Sequence, residues 1–196
     1  MTEPSRLGRP APRPVGSIVL GIGRIARGRA DGVGQFSGTP QAFMSSLAPL
    51  LAFALVGCLL LLMHGDGLSA ITELLQTIVV ALAPAVLSEP LARFWGRRAQ
   101  WLRFATALNW CQWAMPVAVA FGLMFGGLLT AFGVSTAQAG RVVVAVVLAY
   151  GFWIEWFLTR HALELSRWRA AVLVLVINLG TAVLATIPSL VAFELV

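Results

Sequence analysis

The sequence contains no lysine, and charged residues make up only 11% of its 196 residues. A soluble domain is nearer to a quarter charged, so this composition excludes an ordinary water-soluble globular protein. Apolar residues make up 59% of the chain and cluster in long runs. A run of ~20 apolar residues crosses a hydrocarbon core of ~30 Å. We therefore expect a polytopic membrane protein with no room for a separate soluble catalytic domain.

Cysteine and histidine are scarce, with two residues of each. Cys58 and Cys111 lie inside apolar runs, where cysteine is typically a small buried apolar residue. His64 and Asp66, in the turn "HGDG", are too few to make a metal site. No HExxH, CxxC or phosphate-binding loop is present, and "GIGRIARG" has Ala26 where a dinucleotide motif needs glycine. We expect no metal, no cofactor and no enzymatic activity.

Five apolar segments predict five membrane-spanning helices, and hence an all-α helical bundle. The segments cover about residues 42–63, 69–91, 104–132, 141–159 and 170–193. They form a transmembrane domain over residues 40–196, preceded by an N-terminal segment over residues 1–39. In "GTPQAF", Thr39 can cap the first helix and Pro40 fits its first position.

The arginines indicate the orientation of the bundle. Thirteen of the 14 basic residues fall before the first span, between the second and third, or between the fourth and fifth. Only Arg141 falls on the other side. By the positive-inside rule the N-terminus is cytoplasmic and the C-terminus external. The arginine-only, Ala/Gly-rich composition suggests a GC-rich bacterial genome, and so a bacterial inner membrane. Because the basic charge reflects topology, we expect no nucleic-acid partner.

An amphipathic helix is predicted before the first span, at about residues 15–31. Ile18, Ile22 and Ile25 recur at helical spacing. Arginines lie beside them, at Arg24, Arg27 and Arg29. Each is expected to gain ~1 kcal/mol over anionic headgroups of the inner leaflet. Membrane lipids are therefore the first expected partner.

All seven tryptophans lie in or near the arginine-bearing loops. Indole rings favour the headgroup level of a bilayer, and we assign Trp95, Trp101 and Trp168 to the lipid interface. A belt of tryptophans on the cytoplasmic side alone is also compatible with a protein-contact surface, so other membrane proteins are possible partners.

Glu155, in "FWIEWFLTR", is the unusual charge of the fourth span. It lies ~7 Å along the helix from Arg160, while Asn109 and Gln112 lie ~9 and ~13 Å beyond Arg103. These five residues form a predicted polar cluster at shallow depth. Glu155 is either a structural anchor, paired with an arginine or bonded to an amide or indole N–H, or a ligand- or proton-handling group. With an arginine partner, Glu155→Leu should destabilise more than Glu155→Gln.

Other polar features of the spans have ordinary explanations. Asn178, near the middle of the fifth span, is expected to form an interhelical hydrogen bond. Prolines inside the spans each free a backbone carbonyl, a feature of transporters and of ordinary bundles alike: Pro49, Pro84, Pro116 and Pro188.

Five close-set spans after an amphipathic segment resemble the Yip1-like membrane proteins. The likeness extends to "RFATALNWCQWAMPVAVAFGL" and to "FWIEWFLTRHALELSRWRAAVLVLV", where the fourth span turns into a helix start at Ser166 to Ala170. The resemblance implies a non-enzymatic membrane protein that acts through partners or lipid.

The sequence leaves three functions, in this order. The first is a non-enzymatic accessory, scaffold or membrane-organising subunit. The second is a small transporter or channel that uses Glu155, Asn109 and Gln112, and the third is an intramembrane enzyme. Several polar side chains that converge on a water-filled cavity would favour transport, and a dry, fully packed interior with outward-facing tryptophans would favour the scaffold.

Overall fold

The computed structural model describes residues 15–65 and 67–194, and the side chains of residues 17–65 and 67–187. The first part of the predicted N-terminal segment and the last two residues of the bundle lie outside the described residues, as does Asp66. The described residues are 86% helical and contain no strand. The all-α prediction is therefore confirmed.

Seven α-helices follow one another along the part of the chain that the structure describes. They are α1 Val15–Ile25, α2 Pro40–Met63, α3 Gly67–Phe94, α4 Arg98–Cys111, α5 Ala114–Ala131, α6 Thr136–Ala162 and α7 Arg167–Glu194. By length and apolar composition there are five spans among the described residues: α2, α3, α4 with α5, α6, and α7. The start of α2 is as predicted, because Thr39 Oγ1 accepts a hydrogen bond from Ala42 N at 3.2 Å and Pro40 occupies the first turn.

The third span is broken between Cys111 and Ala114. Proline cannot donate to the carbonyl four residues earlier, and its ring crowds that carbonyl. For Pro116 this carbonyl is that of Gln112, which instead accepts from Met115 N at 3.0 Å. The tightened turn separates α4 from α5.

The break gives the two ends of the bundle different cores. One end carries the described arginines except Arg141, and we call it the arginine-rich end. There α4 packs against α2, α3 and α6 and is the central helix. Towards the opposite end α5 packs mainly on α6, while α3 packs on α2 and α7. The space that α4 fills at the arginine-rich end is therefore left partly open towards the opposite end of the bundle.

The N-terminal helix is shorter than predicted and is packed against the bundle. α1 ends at Ile25 because the chain turns at Gly28, whose φ of +73° favours glycine, and continues as a 3₁₀ helix over Ala30–Gln35. Ile25 and Phe36 are fully buried among residues of α4 and α6. Tyr150 Oη of α6 donates to Ala26 O at 2.8 Å. Residues 15–37, the N-terminal unit, are thus part of the fold.

Candidate functional site

A cavity of about 290 Å³ lies where the third span breaks, between α3, α6 and α7. Ten of its 14 lining residues are apolar, among them Cys111 and Met115. The four polar ones are Gln112, Glu155, Asn178 and Thr181. We call this space the Glu155 cavity. Its lining extends from Val80, near the midpoint of α3, to Glu155, about two turns from the arginine-rich end of α6, so it lies among the helices that are long and apolar enough to span a membrane.

Glu155 projects from α6 towards α7, where its partner is Asn178. Asn178 Nδ2 donates to Glu155 Oε2 at 2.7 Å and to the Val174 carbonyl at 2.9 Å. Both N–H groups of the amide are then used, so the Asn178 Oδ1 remains an acceptor. Among the described residues no donor reaches the second carboxylate oxygen of Glu155. The pair therefore presents oxygen atoms to the cavity.

Other polar groups and a helix proline line the same space. Pro84 lies inside α3 and lines the cavity together with Val80. Thr181 Oγ1 is buried and has no hydrogen-bond partner among the described residues. Gln112 also lines a second cavity of about 290 Å³, beside α2, and so separates the two spaces at the helix break.

The ionisable groups of the cavity lining are all acidic. Glu155 is its only ionisable residue apart from the thiol of Cys111, and its lining contains no arginine, lysine or histidine. The ion pairs found among the described residues do not include Glu155. Of the two kinds of partner expected for a structural anchor, Glu155 therefore has an amide, Asn178, and no arginine.

The remaining members of the predicted polar cluster lie elsewhere. Asn109 is buried on another face of α4, where its Nδ2 donates to Ser46 Oγ of α2 at 3.0 Å. Arg103 is exposed beside Gly38. The Arg160 guanidinium lies 5.7 Å from the ring centroid of Trp156, a cation–π arrangement. The structure thus brings Gln112 and Glu155 to one cavity and places the other three residues outside it.

The arginines of the N-terminal unit differ in their partners. Arg24 and Arg29 each lie 3.2 Å from Asp31 Oδ2. Arg27 is exposed, and the ion pairs of the described residues do not include it. All three were expected to face lipid headgroups, but Asp31, which that expectation ignored, offsets part of the charge of the other two. Of these three arginines, Arg27 is therefore the one whose charge no carboxylate offsets in the part of the chain that the structure describes.

The three tryptophans assigned to the lipid interface have different environments. Trp168 is 83% exposed at the start of α7. Trp95 is half-buried and packs against the core. Trp101 is also half-buried, and its Nε1 donates to Ser88 Oγ of α3 at 3.0 Å. Of these three, only Trp168 has the exposure of an indole that faces the membrane or a partner. Trp95 and Trp101 instead pack within the arginine-rich end.

Asn178 and Thr181 are the cavity residues that the predicted cluster omitted. Asn178 was expected to form an interhelical hydrogen bond and does so, but its partner was not foreseen. Position in the sequence gives the depth of a residue and not the helix that its side chain faces. The described residues contain no group of three or more histidine, cysteine or acidic side chains that could hold a metal ion.

Comparisons with models of known protein families, with curated proteins and with solved structures found no match to this chain.

Proposed function

We propose that this protein is a non-enzymatic membrane protein that binds and moves a small ligand, a small transporter whose site is the Glu155 cavity. The observation that carries the proposal is the convergence of Gln112, Glu155, Asn178 and Thr181 on one space inside the bundle. An unpaired charge inside a membrane is costly and typically marks a ligand or ion pathway. Its position at a helix break adds support, because transporters build their sites from interrupted helices.

The packing of the third span supplies a means of movement. α4 is held on several sides, whereas α5 rests mainly on α6. A change of angle at Gln112 and Trp113 would move α5 and leave the arginine-rich end in place, since hinges are few residues at element ends. Gln112 lies between the two cavities and would move with the hinge.

Reactivity of a cysteine placed in the cavity tests this function without knowledge of the ligand. Thr181→Cys is introduced after Cys58 and Cys111 are replaced by alanine, and sealed vesicles of both orientations receive a membrane-impermeant thiol reagent. A transporter exposes the site to each side in turn, so we expect labelling from both. Leu179→Cys, at nearly the same depth on the exposed face of α7, is the control and should stay unlabelled. No labelling of Thr181→Cys from either side would contradict the proposal.

We also propose a bacterial inner membrane, with the arginine-rich end in the cytoplasm. The support is the clustering of arginine at that end. Reporter fusions after residues 35, 98 and 165 should read cytoplasmic, and those after residues 66, 136 and 196 external. A cytoplasmic reading after residue 196 would contradict this orientation.

A scaffold or accessory role is the second candidate. It is favoured by Phe94 and Trp168, which are 84% and 83% exposed beside arginines at the arginine-rich end. Aromatic and arginine side chains together are typical of contact surfaces between proteins. A scaffold role would also agree with the resemblance to Yip1-like proteins, and that resemblance stays a proposal. Loss of a co-purifying membrane protein in Trp168→Ala, with Thr181→Cys unlabelled, would favour this role over transport.

A further inference from the structure

We propose that the ligand of the Glu155 cavity is an organic cation, a protonated amine attached to a compact apolar body. This inference rests on the proposed function, because it names the class of ligand for the same site. It follows from three properties of the cavity: the sign of its charge, the direction of its hydrogen-bonding groups, and the chemistry of its walls.

The charge selects a cation. Glu155 is the only charged side chain in the lining, and an ammonium group beside it would supply the missing partner. An anion would meet the carboxylate at close range with no arginine to offset the repulsion. In the low dielectric of the bundle, this difference between the two ligands is larger than it would be in water.

The hydrogen-bonding groups select a donor. Asn178 uses both N–H groups within the protein and leaves Oδ1 as an acceptor. The second carboxylate oxygen of Glu155 is a further acceptor, and the Gln112 amide and the Thr181 hydroxyl can each accept as well as donate. An ammonium group carries several N–H donors and no acceptor. It therefore matches this set better than an alcohol or a carboxylate does.

The walls select an organic ligand over a bare metal ion. Ten of the 14 lining residues are apolar, and Val80, Leu148 and Phe152 are exposed apolar side chains at the edge of the cavity. Phe152 also offers an aromatic ring to a cationic group. A volume of about 290 Å³ is at the lower end for small-molecule sites. The apolar part of the ligand is accordingly small, of the order of one aromatic ring with a short chain.

Three probes with the same apolar body test the inference: phenylpropylamine, phenylpropanol and phenylpropanoate. Binding of isotope-labelled probe to the purified full-length protein is measured by equilibrium dialysis, and uptake by protein-free micelles is subtracted. We expect the amine to bind about tenfold or more tightly than the alcohol and the acid, the range for a hydrogen bond to a charged group.

Two variants show whether binding depends on the cavity. Glu155→Gln keeps the shape of the side chain and should weaken amine binding by about tenfold or more. Glu73→Gln removes an exposed carboxylate of α3 outside the cavity and should leave binding unchanged. Thiol labelling of Thr181→Cys is a second measurement, and it does not depend on the folding of Glu155→Gln. The amine should slow this labelling, and the acid should not.

The inference is overturned if the alcohol or the acid binds as tightly as the amine, or if Glu155→Gln retains amine binding. In either case, labelling of Thr181→Cys from both sides would leave the proposed transport function standing with a ligand of another class. If Thr181→Cys is unlabelled and no probe binds, both the inference and the proposed function are wrong.

Discussion

Replacing Glu155 by leucine should leave the free energy of unfolding within about 1 kcal/mol of its original value. The substitution removes one hydrogen bond, from Asn178 Nδ2 at 2.7 Å, while the amide keeps its bond to the Val174 carbonyl. Interhelical hydrogen bonds in membranes contribute ~0.6 kcal/mol on average and at most ~1.7. Removal of a carboxylate from a largely apolar space offsets part of that loss.

This expectation differs from the one that the sequence alone supports. A Glu155 paired with Arg103 or Arg160 would leave an unpaired arginine after the change, at a cost of ~3–5 kcal/mol. The structure instead places Asn178 beside the carboxylate. A measured cost this small would mean that the carboxylate contributes little to stability, as expected of a ligand-binding group.

Reversible unfolding in mixed micelles, followed by tryptophan fluorescence, would measure both the single change and its coupling to Asn178. The double-mutant cycle of Glu155→Leu with Asn178→Ala should give a coupling energy of about 0.6–1.7 kcal/mol. A cycle with Asn109→Ala is the control and should be additive, because Asn109 bonds Ser46 on another face of α4. A loss of ~3 kcal/mol or more in Glu155→Leu, or zero coupling to Asn178, would refute this reasoning.

Three further predictions concern the N-terminal unit. Gly21→Leu should detach the N-terminal unit from the bundle, because a Cβ at this position would lie 2.8 Å from the Phe36 ring. Proteolysis at Arg27 should then become faster, and an unchanged rate of cleavage would count against the packing described. Tyr150→Phe removes the bond to Ala26 O and should destabilise by ~1 kcal/mol in the same unfolding assay, whereas no change would mean that this bond adds nothing. Arg27→Gln should reduce retained anionic lipid, counted by native mass spectrometry, more than Arg24→Gln does, since Asp31 offsets Arg24; equal losses would contradict that difference.

The sequence predicts those features that depend on depth or on near neighbours. Apolar runs give the five spans, and the pairing of Glu89 with Arg93 across one helical turn, at 2.9 Å, follows from spacing. The N-cap Thr39 is likewise a local property. The break of the third span has a visible cause in Pro116, although the sequence alone does not show where the helix is interrupted.

Features that join distant helices are not predictable in the same way. Asn109 and Gln112 are three residues apart, which on an unbroken helix places them on one face. The helix ends at Cys111, and the two side chains reach different neighbours. The bond between Asn178 and Glu155 depends on which helices are adjacent, and hydropathy carries no information about adjacency. The fold class was therefore within reach of the sequence, whereas the composition of the cavity was not.

The extensive packing between α3 and α7 bears on how the protein is made. These two helices are far apart in the chain, since α3 ends at Phe94 and α7 begins at Arg167, yet they form the most extensive helix–helix contact of the described bundle. During synthesis α3 enters the membrane well before its main neighbour exists. One wall of the Glu155 cavity is therefore missing until the last helix arrives, and a chain that stops before Arg167 contains Glu155 but not Asn178. The cavity can therefore be complete only after α7 has joined the bundle.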